Sequence, residues 1–274
     1  MMRPGDWSIA MKPIWIVGPL ALAAATPAMA QEERDYCPAR PGLGDTPCTI
    51  APGRVSVETG LADWQHDRSG GAVTDTITLA DTLVRAGIGT SFEAEIGWTP
   101  YVRERVRDAG GVATGSAVGD LTLGLRKNLV HPDGSGFSIT LEPLVMLPVG
   151  KAPAGAGDWS AALAIPASLA LPGDFSIQST ATLAAAVDGD GHGRHFQASE
   201  VVGLGVPLTS ALSFTLEGQW IRDEDPAGGT TQGYAGGSFA WSVSDDLQLD
   251  VGGALGLNHD AADTEIYAGI ARRF

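Results

Sequence analysis

From residue 54 onward the chain alternates, position by position, between apolar side chains and small or polar ones, and this period of two decides what it can fold into. Leu247, Leu249, Val251, Leu255 and Leu257 share one parity; Gln248, Asp250, Gly252, Ala254 and Gly256 share the other. In "LSFTLEGQW", Leu212, Phe214, Leu216 and Trp220 oppose Ser213, Thr215, Glu217 and Gln219. In "GDLTLGLRKN", Leu121, Leu123 and Leu125 oppose Asp120, Thr122, Gly124 and Arg126. Strands buried on both faces would be apolar throughout. These have one apolar face and one wet or filled face.

Marking each run by its flanking turn residues predicts about twelve strands, over 54–66, 73–88, 91–106, 115–129, 135–149, 158–170, 173–187, 194–207, 211–223, 229–243, 246–258 and 263–274. The connections then sort by length. Short turns ("GTS", "HPDGS", "PGD", "TSA", "SDD") alternate with longer polar ones ("HDRSGG", "RDAGGVATG", "GKAPAGAGD", "DGDGHGR", "DEDPAGG", "NHDAAD"). Short turns on one rim and long loops on the other mark bacterial outer-membrane barrels, with the short rim periplasmic. The expected fold is therefore all-β, a single transmembrane antiparallel up-and-down barrel in which the last strand pairs with the first, because hydrocarbon leaves no partner for an open edge.

The N-terminus reads as an export signal. Lys12 precedes the apolar run Ile14 to Ala25, and the small-residue cleavage pattern Ala28-Met29-Ala30 follows. That run is shorter than the roughly 20 residues a spanning helix needs. The expected organisation is a signal peptide over 1–30, a periplasmic Pro/Gly-rich segment over 31–52 and the barrel over 53–274. The two cysteines, Cys37 and Cys48, both follow the signal and would meet an oxidising compartment, which favours a disulfide over a metal or redox role. Segment 31–52 fits either a short plug tied by that bridge or a stiffened tail with no gating role.

The formal net charge of −15 argues against nucleic acid, whose phosphates need a basic surface. Aromatic residues fall in two belts on the expected strands, as membrane interfaces favour. Phe92, Phe137, Phe175, Phe214, Trp241 and Phe274 lie near the short-turn rim; Trp64, Trp98, Tyr101, Trp159, Trp220 and Tyr234 lie toward the other.

The stretches "RPGLGDTPCT", "VETGLADW", "LGLRKNL", "VDGDGHGRH", "RDEDP" and "DLQLDVG" through "IARRF" together resemble the outer-membrane transporter family named for the meta-pathway of phenol degradation, over roughly residues 36 to 274. The resemblance implies a porin-like barrel in the outer membrane of a Gram-negative bacterium, taking up small, often aromatic or hydrophobic compounds. The C-terminus also resembles the signal read by the barrel-assembly machinery, with Ile266, Ala268, Ile270 and Phe274 in register. Arg272 falls on the same apolar parity, where a snorkelling stem would have to carry its charge to the interface.

Polar-parity residues expected to face the lumen include Ser56, Glu58, Arg85, Glu93, Glu95, Asp120, Arg126, Glu142, Glu217, Gln219, Gln248 and Asp250. They fit a selectivity lining, or a narrow interior filled by its own ion pairs. "DGDGHGRH" begins like a calcium loop at Asp188, Asp190 and His192, but Ser199 stands where a bidentate glutamate is required. "RDEDP" fits a solvated loop tip better than a bridge to lipopolysaccharide cations. His66, His131, His192, His195 and His259 all fall at loops or rims. There is no G-x-S-x-G elbow, and His192 or His195 with Ser199 is the one local pairing a lipid hydrolase could use.

The reading assigns no cofactor, no metal site and no catalytic residue. The expected function is a channel or transporter for small molecules, against a closed structural or surface-interaction barrel and, third, a barrel lipid hydrolase. The expected partners are outer-membrane lipid and lipopolysaccharide, the assembly machinery through the last strand, and a small-molecule solute.

Overall fold

The computed structural model describes residues 34–274; the expected signal peptide lies outside the described residues. Those residues are all β, with strands β1 (Val55–Ser69), β2 (Ala72–Gly87), β3 (Phe92–Trp98), β4 (Tyr101–Asp108), β5 (Gly111–Ala117), β6 (Leu121–Val130), β7 (Phe137–Leu147), β8 (Ser160–Ala170), β9 (Ser176–Val187), β10 (Arg194–Pro207), β11 (Leu212–Asp223), β12 (Thr230–Ser244), β13 (Leu247–Gly256) and β14 (Thr264–Arg273). Every pairing is antiparallel, and β1 pairs with both β2 and β14, so the sheet closes. The closed wall has twelve strands: β1, β2, β3 and β6 through β14.

The two extra segments correct the expected strands 91–106 and 115–129. The first breaks at Thr99 and Pro100, where proline has no N–H for a ladder, and the second at 118–120. Gly119 N–H donates to Thr99 O at 2.8 Å, so the breaks face one another. Beyond them, β4 continues along β2 and pairs with β5, extending the wall as a hairpin. "RDAGGVATG" is thus a tight turn between strands rather than a loop, and so is "HDRSGG". Gly70 and Gly71 connect β1 to β2 with φ of 60° and 82°, the two left-handed residues that a two-residue turn following the sheet twist requires. The longer connections that remain, 148–159, 188–193, 224–229 and 257–263, share one rim.

The faces are inverted relative to a water-soluble protein. Leu125, Leu204, Leu216, Val251 and Leu255 are exposed on the outside, while Glu58, Arg85, Glu93 and Arg126 are buried inside. Apolar side chains facing out and every backbone group paired within a closed sheet is the arrangement hydrocarbon demands. At the seam, Phe274 N–H donates to Val55 O at 2.8 Å and Val55 N–H to Phe274 O at 3.2 Å, so the ladder runs to the last residue. The parity holds there: Arg272 points outward with its guanidinium 5.0 Å from the Phe274 ring centre, while Arg273 is buried on the inner side.

Candidate functional site

Residues 34–54 run inside the barrel, and the polar parity of the wall holds them there. The segment is irregular and has no ladder of its own, so its backbone groups need partners elsewhere. Wall carboxylates accept its N–H groups: Ala39 and Arg40 donate to Glu58 at 2.8 and 3.1 Å, Leu43 and Gly44 to Glu217 at 2.9 and 3.1 Å, and Ile50 to Glu93 at 2.6 Å. Asp45 N–H donates to the Thr180 hydroxyl at 2.9 Å. Donors on the wall meet its carbonyls in turn. Arg85 reaches Cys37 O and Cys48 O at 2.9 and 3.1 Å, Arg126 reaches Thr46 O, Gln248 reaches Arg40 O at 2.8 Å, and Asn128 and Thr140 both reach Pro47 O.

Two buried arginines organise the charge. Arg85 lies 3.1 Å from Glu58, 2.6 Å from Glu93 and 3.4 Å from Glu95. Arg126 lies 2.9 Å from Asp45, 3.3 Å from Glu95 and 3.5 Å from Glu142. Burial alone would oppose ionisation of Asp45, but Arg126 and Arg85 outweigh it and hold the carboxyl below its usual range. On β13 Asp250 pairs with Arg40, and near the seam Arg273 donates to Arg34 O.

Close approach explains one glycine in this segment. Gly42 has φ of 129°, and a Cβ there would sit 2.8 Å from both Glu217 oxygens. Cys37 and Cys48 are joined as a disulfide with Cα atoms 6.3 Å apart, inside the range a bridge spans. Toward the long-loop rim a cavity of about 240 Å³ remains, lined by Arg40, Asp63, Asp81, Glu265 and Tyr267 among others.

Most expected lumen residues, Ser56, Glu58, Arg85, Glu93, Glu95, Arg126, Glu142, Glu217, Gln248 and Asp250, are buried on the inner face; Gln219 is half-buried. Asp120 departs from the expectation. It precedes β6 at the strand break, and its two oxygens accept Gly150 N–H and Ala156 N–H at 2.8 Å each, holding the 148–159 loop. Tyr234 also departs: its ring is buried with Ala254 and Ala261 inside the wall, and its hydroxyl accepts Ala262 N–H at 3.2 Å. It shares parity with the buried Ser238, not with the outward Phe239 and Trp241, and that signal places it inside.

The other expected belt residues, Trp64, Trp98, Tyr101, Trp159, Trp220, Phe92, Phe137, Phe175, Trp241 and Phe274, are exposed, and Phe214 is half-buried against Phe239 at 4.9 Å between ring centres. His195 partners Asp188 and Asp223, and neither His192 nor His195 is bonded to Ser199.

With this geometry in place, sequence comparison decides the family. The model described as "Putative MetA-pathway of phenol degradation" matches residues 39–274. The chain belongs to that family. No curated protein matches it in sequence. Among solved structures this phenol-degradation family member is similar to the COG4313 outer membrane channel from Pseudomonas putida F1, at 13% identity and a TM-score of 0.63 over 86% of this chain and 99% of that one. It is also similar to the translocator domain of autotransporter NalP from Neisseria meningitidis, at 14% identity and a TM-score of 0.50 over 81% and 88%. The beta domain of the Bordetella autotransporter BrkA aligns at 13% identity and a TM-score of 0.50 over 81% and 100%. At these identities the likeness is one of fold: an outer-membrane β-barrel.

Proposed function

We propose that this protein is an outer-membrane channel for small molecules whose lumen rests closed behind residues 34–54. The observation that carries the reading is the chemistry of the closure. The segment is held chiefly by hydrogen bonds and ion pairs, such as Arg40 to Asp250 and Leu43 N–H to Glu217, which water can replace at modest net cost. Apolar packing would resist release far more, and the segment has little of it: Leu43 against the Tyr234 cluster and the buried Ile50 and Ala51.

Small aromatic compounds are the solute class the family description suggests. On the inner wall Glu58, Glu93, Glu95, Glu142, Glu217 and Asp250 outnumber Arg85, Arg126 and Arg273, which favours neutral and cationic solutes over anions. The protein sits in the outer membrane of a Gram-negative bacterium with the short-turn rim facing the periplasm and residues 34–54 inside the lumen. Phe92, Phe137, Phe175, Phe214, Trp241 and Phe274 form the periplasmic belt, and Trp64, Trp98, Tyr101, Trp159 and Trp220 the outer one, beside lipopolysaccharide. The assembly machinery reads β14.

Proteoliposome swelling tests this reading. A variant lacking 34–52 should admit benzylammonium faster than benzoate, and the intact chain should admit both slowly. Swelling with neither solute in the folded variant would favour a closed structural barrel.

A further inference from the structure

A second cluster lies at the long-loop rim, away from the segment in the lumen. His195, second residue of β10, points inward and is almost fully buried, its side chain 5% exposed. Three carboxylates converge on it: Asp188, from the turn before β10, lies 3.0 Å and Asp225, from the loop after β11, 3.8 Å from Nδ1, and Asp223, the last residue of β11, lies 3.1 Å from Nε2. One ligand atom each from His195, Asp223 and Asp225 can be chosen so that all lie within 4.8 Å of one another.

The two ring nitrogens are treated differently. Nδ1 is hydrogen-bonded to Asp188 Oδ1 at 3.0 Å. Nε2 is buried with no hydrogen bond, although Asp223 Oδ1 is only 3.1 Å away. A buried ring nitrogen 3.1 Å from a carboxylate oxygen, outside hydrogen-bond geometry, has the spacing of two ligands of one cation. At zinc bond lengths of about 2.0–2.2 Å, tetrahedral ligands lie roughly 3.3 Å apart. The Asp188 contact is the usual complement, a carboxylate on the far nitrogen that fixes the tautomer and leaves Nε2 free to bind.

Charge points the same way. Among the described residues no lysine or arginine pairs with Asp188, Asp223 or Asp225; the neighbouring Arg194 and Arg222 pair instead with Asp158 and Glu224. Three carboxylates around one imidazole keep an excess of negative charge even with the ring protonated.

We propose that His195 Nε2, Asp223 and Asp225 bind a divalent transition-metal ion, zinc by preference, with Asp188 as the positioning residue and water completing the shell. Imidazole with two carboxylates suits zinc, whereas calcium takes six to eight oxygens. The ion would tie the 188–193 connection to the 224–229 connection across the β10–β11 hairpin. The sequence conceals the site because its ligands belong to separate loops.

The test uses the full folded chain in detergent micelles, stripped with chelator and titrated with zinc and, separately, cobalt. The expected result is one zinc per chain and a visible cobalt spectrum, with His195→Gln and Asp223→Asn each weakening binding at least tenfold. Asp188→Asn should weaken it 10–100-fold. His259→Gln, whose side chain is 89% exposed, should change nothing, and calcium in large excess should not displace zinc. Heat-modifiable gel migration establishes that each variant is folded. Absence of stoichiometric zinc binding and of a cobalt spectrum in the intact chain overturns the proposal whatever the variants do. So does unchanged affinity in folded His195→Gln and Asp223→Asn.

Discussion

Asp250 on β13 receives the Arg40 guanidinium on both carboxylate oxygens, at 3.0 and 3.2 Å, across a sequence separation of 210 residues. The Asp250 side chain is wholly buried and that of Arg40 is 22% exposed, so the two ends of the pair are not equivalent. Arg40 packs against the backbone of Gly269, where any added side chain would collide with it. The pair therefore ties the lumen segment to β13, three strands round the wall from Arg85 on β2.

Removing the exposed partner should do more harm than neutralising the buried one. Arg40→Ala leaves Asp250 uncompensated and should destabilise the closed arrangement by up to about 3–5 kcal/mol, whereas Asp250→Asn should cost less. Hydrogen exchange across residues 34–54 measures both, with faster exchange in Arg40→Ala. Equal protection in the two variants would remove the pair from the account.

The Cys37–Cys48 bridge constrains a loop whose ends are 11 residues apart in sequence. By loop-closure entropy, opening it should lower the stability of the ordered segment by roughly 3 kcal/mol. Reductant, or Cys37→Ser with Cys48→Ser, is expected to raise current noise in single-channel recordings while leaving the barrel's heat-modifiable migration unchanged.

Leu123 tests the outward face. It pairs across the wall with Ile96 and Val145 and is 39% exposed. Arginine at that position, near the middle of the membrane, should cost roughly 2–4 kcal/mol and impair assembly, read as loss of the folded gel band. Harmless insertion there would mean the faces are assigned the wrong way round.

Asp246, in the turn between β12 and β13, accepts a 2.6 Å hydrogen bond from Arg273 and pairs with Arg54 at 3.0 Å. The Arg273 hydrogen bond comes first in holding its carboxyl below the usual range, and the charges of Arg273, Arg54 and Arg272 add to it. Because the folded value is depressed, the stabilisation is complete above the ordinary carboxyl range of about 4 and is lost as pH falls through the folded value. The denaturation midpoints of the natural chain and Asp246→Asn should differ at pH 7, and the difference should shrink as the pH falls below about 4.

The barrel was legible because lipid contact imposes a face on every strand, and Leu123, Leu216 and Val251 carry that face in plain alternation. The hairpin extensions were not legible, since "HDRS" and "GVATG" stand beyond the apolar band and nothing there distinguishes strand from loop. The inner acids and arginines were legible by parity, including Glu93, Arg126 and Glu217. Their partners were not. Residues 34–54 have no period, and their contacts Arg40 to Asp250 and Asp45 to Arg126 join positions 210 and 81 apart. Parity alone could have added Asn128, Thr140 and Thr180 to the inner wall and withdrawn Tyr234 from the outer belt.

Single-channel conductance in planar bilayers tests the central claim most directly, comparing the natural chain with a folded variant lacking residues 34–52. Closure by the segment predicts a small, intermittent current in the natural chain and a large, steady one in the variant. Equal conductance in the two would contradict it.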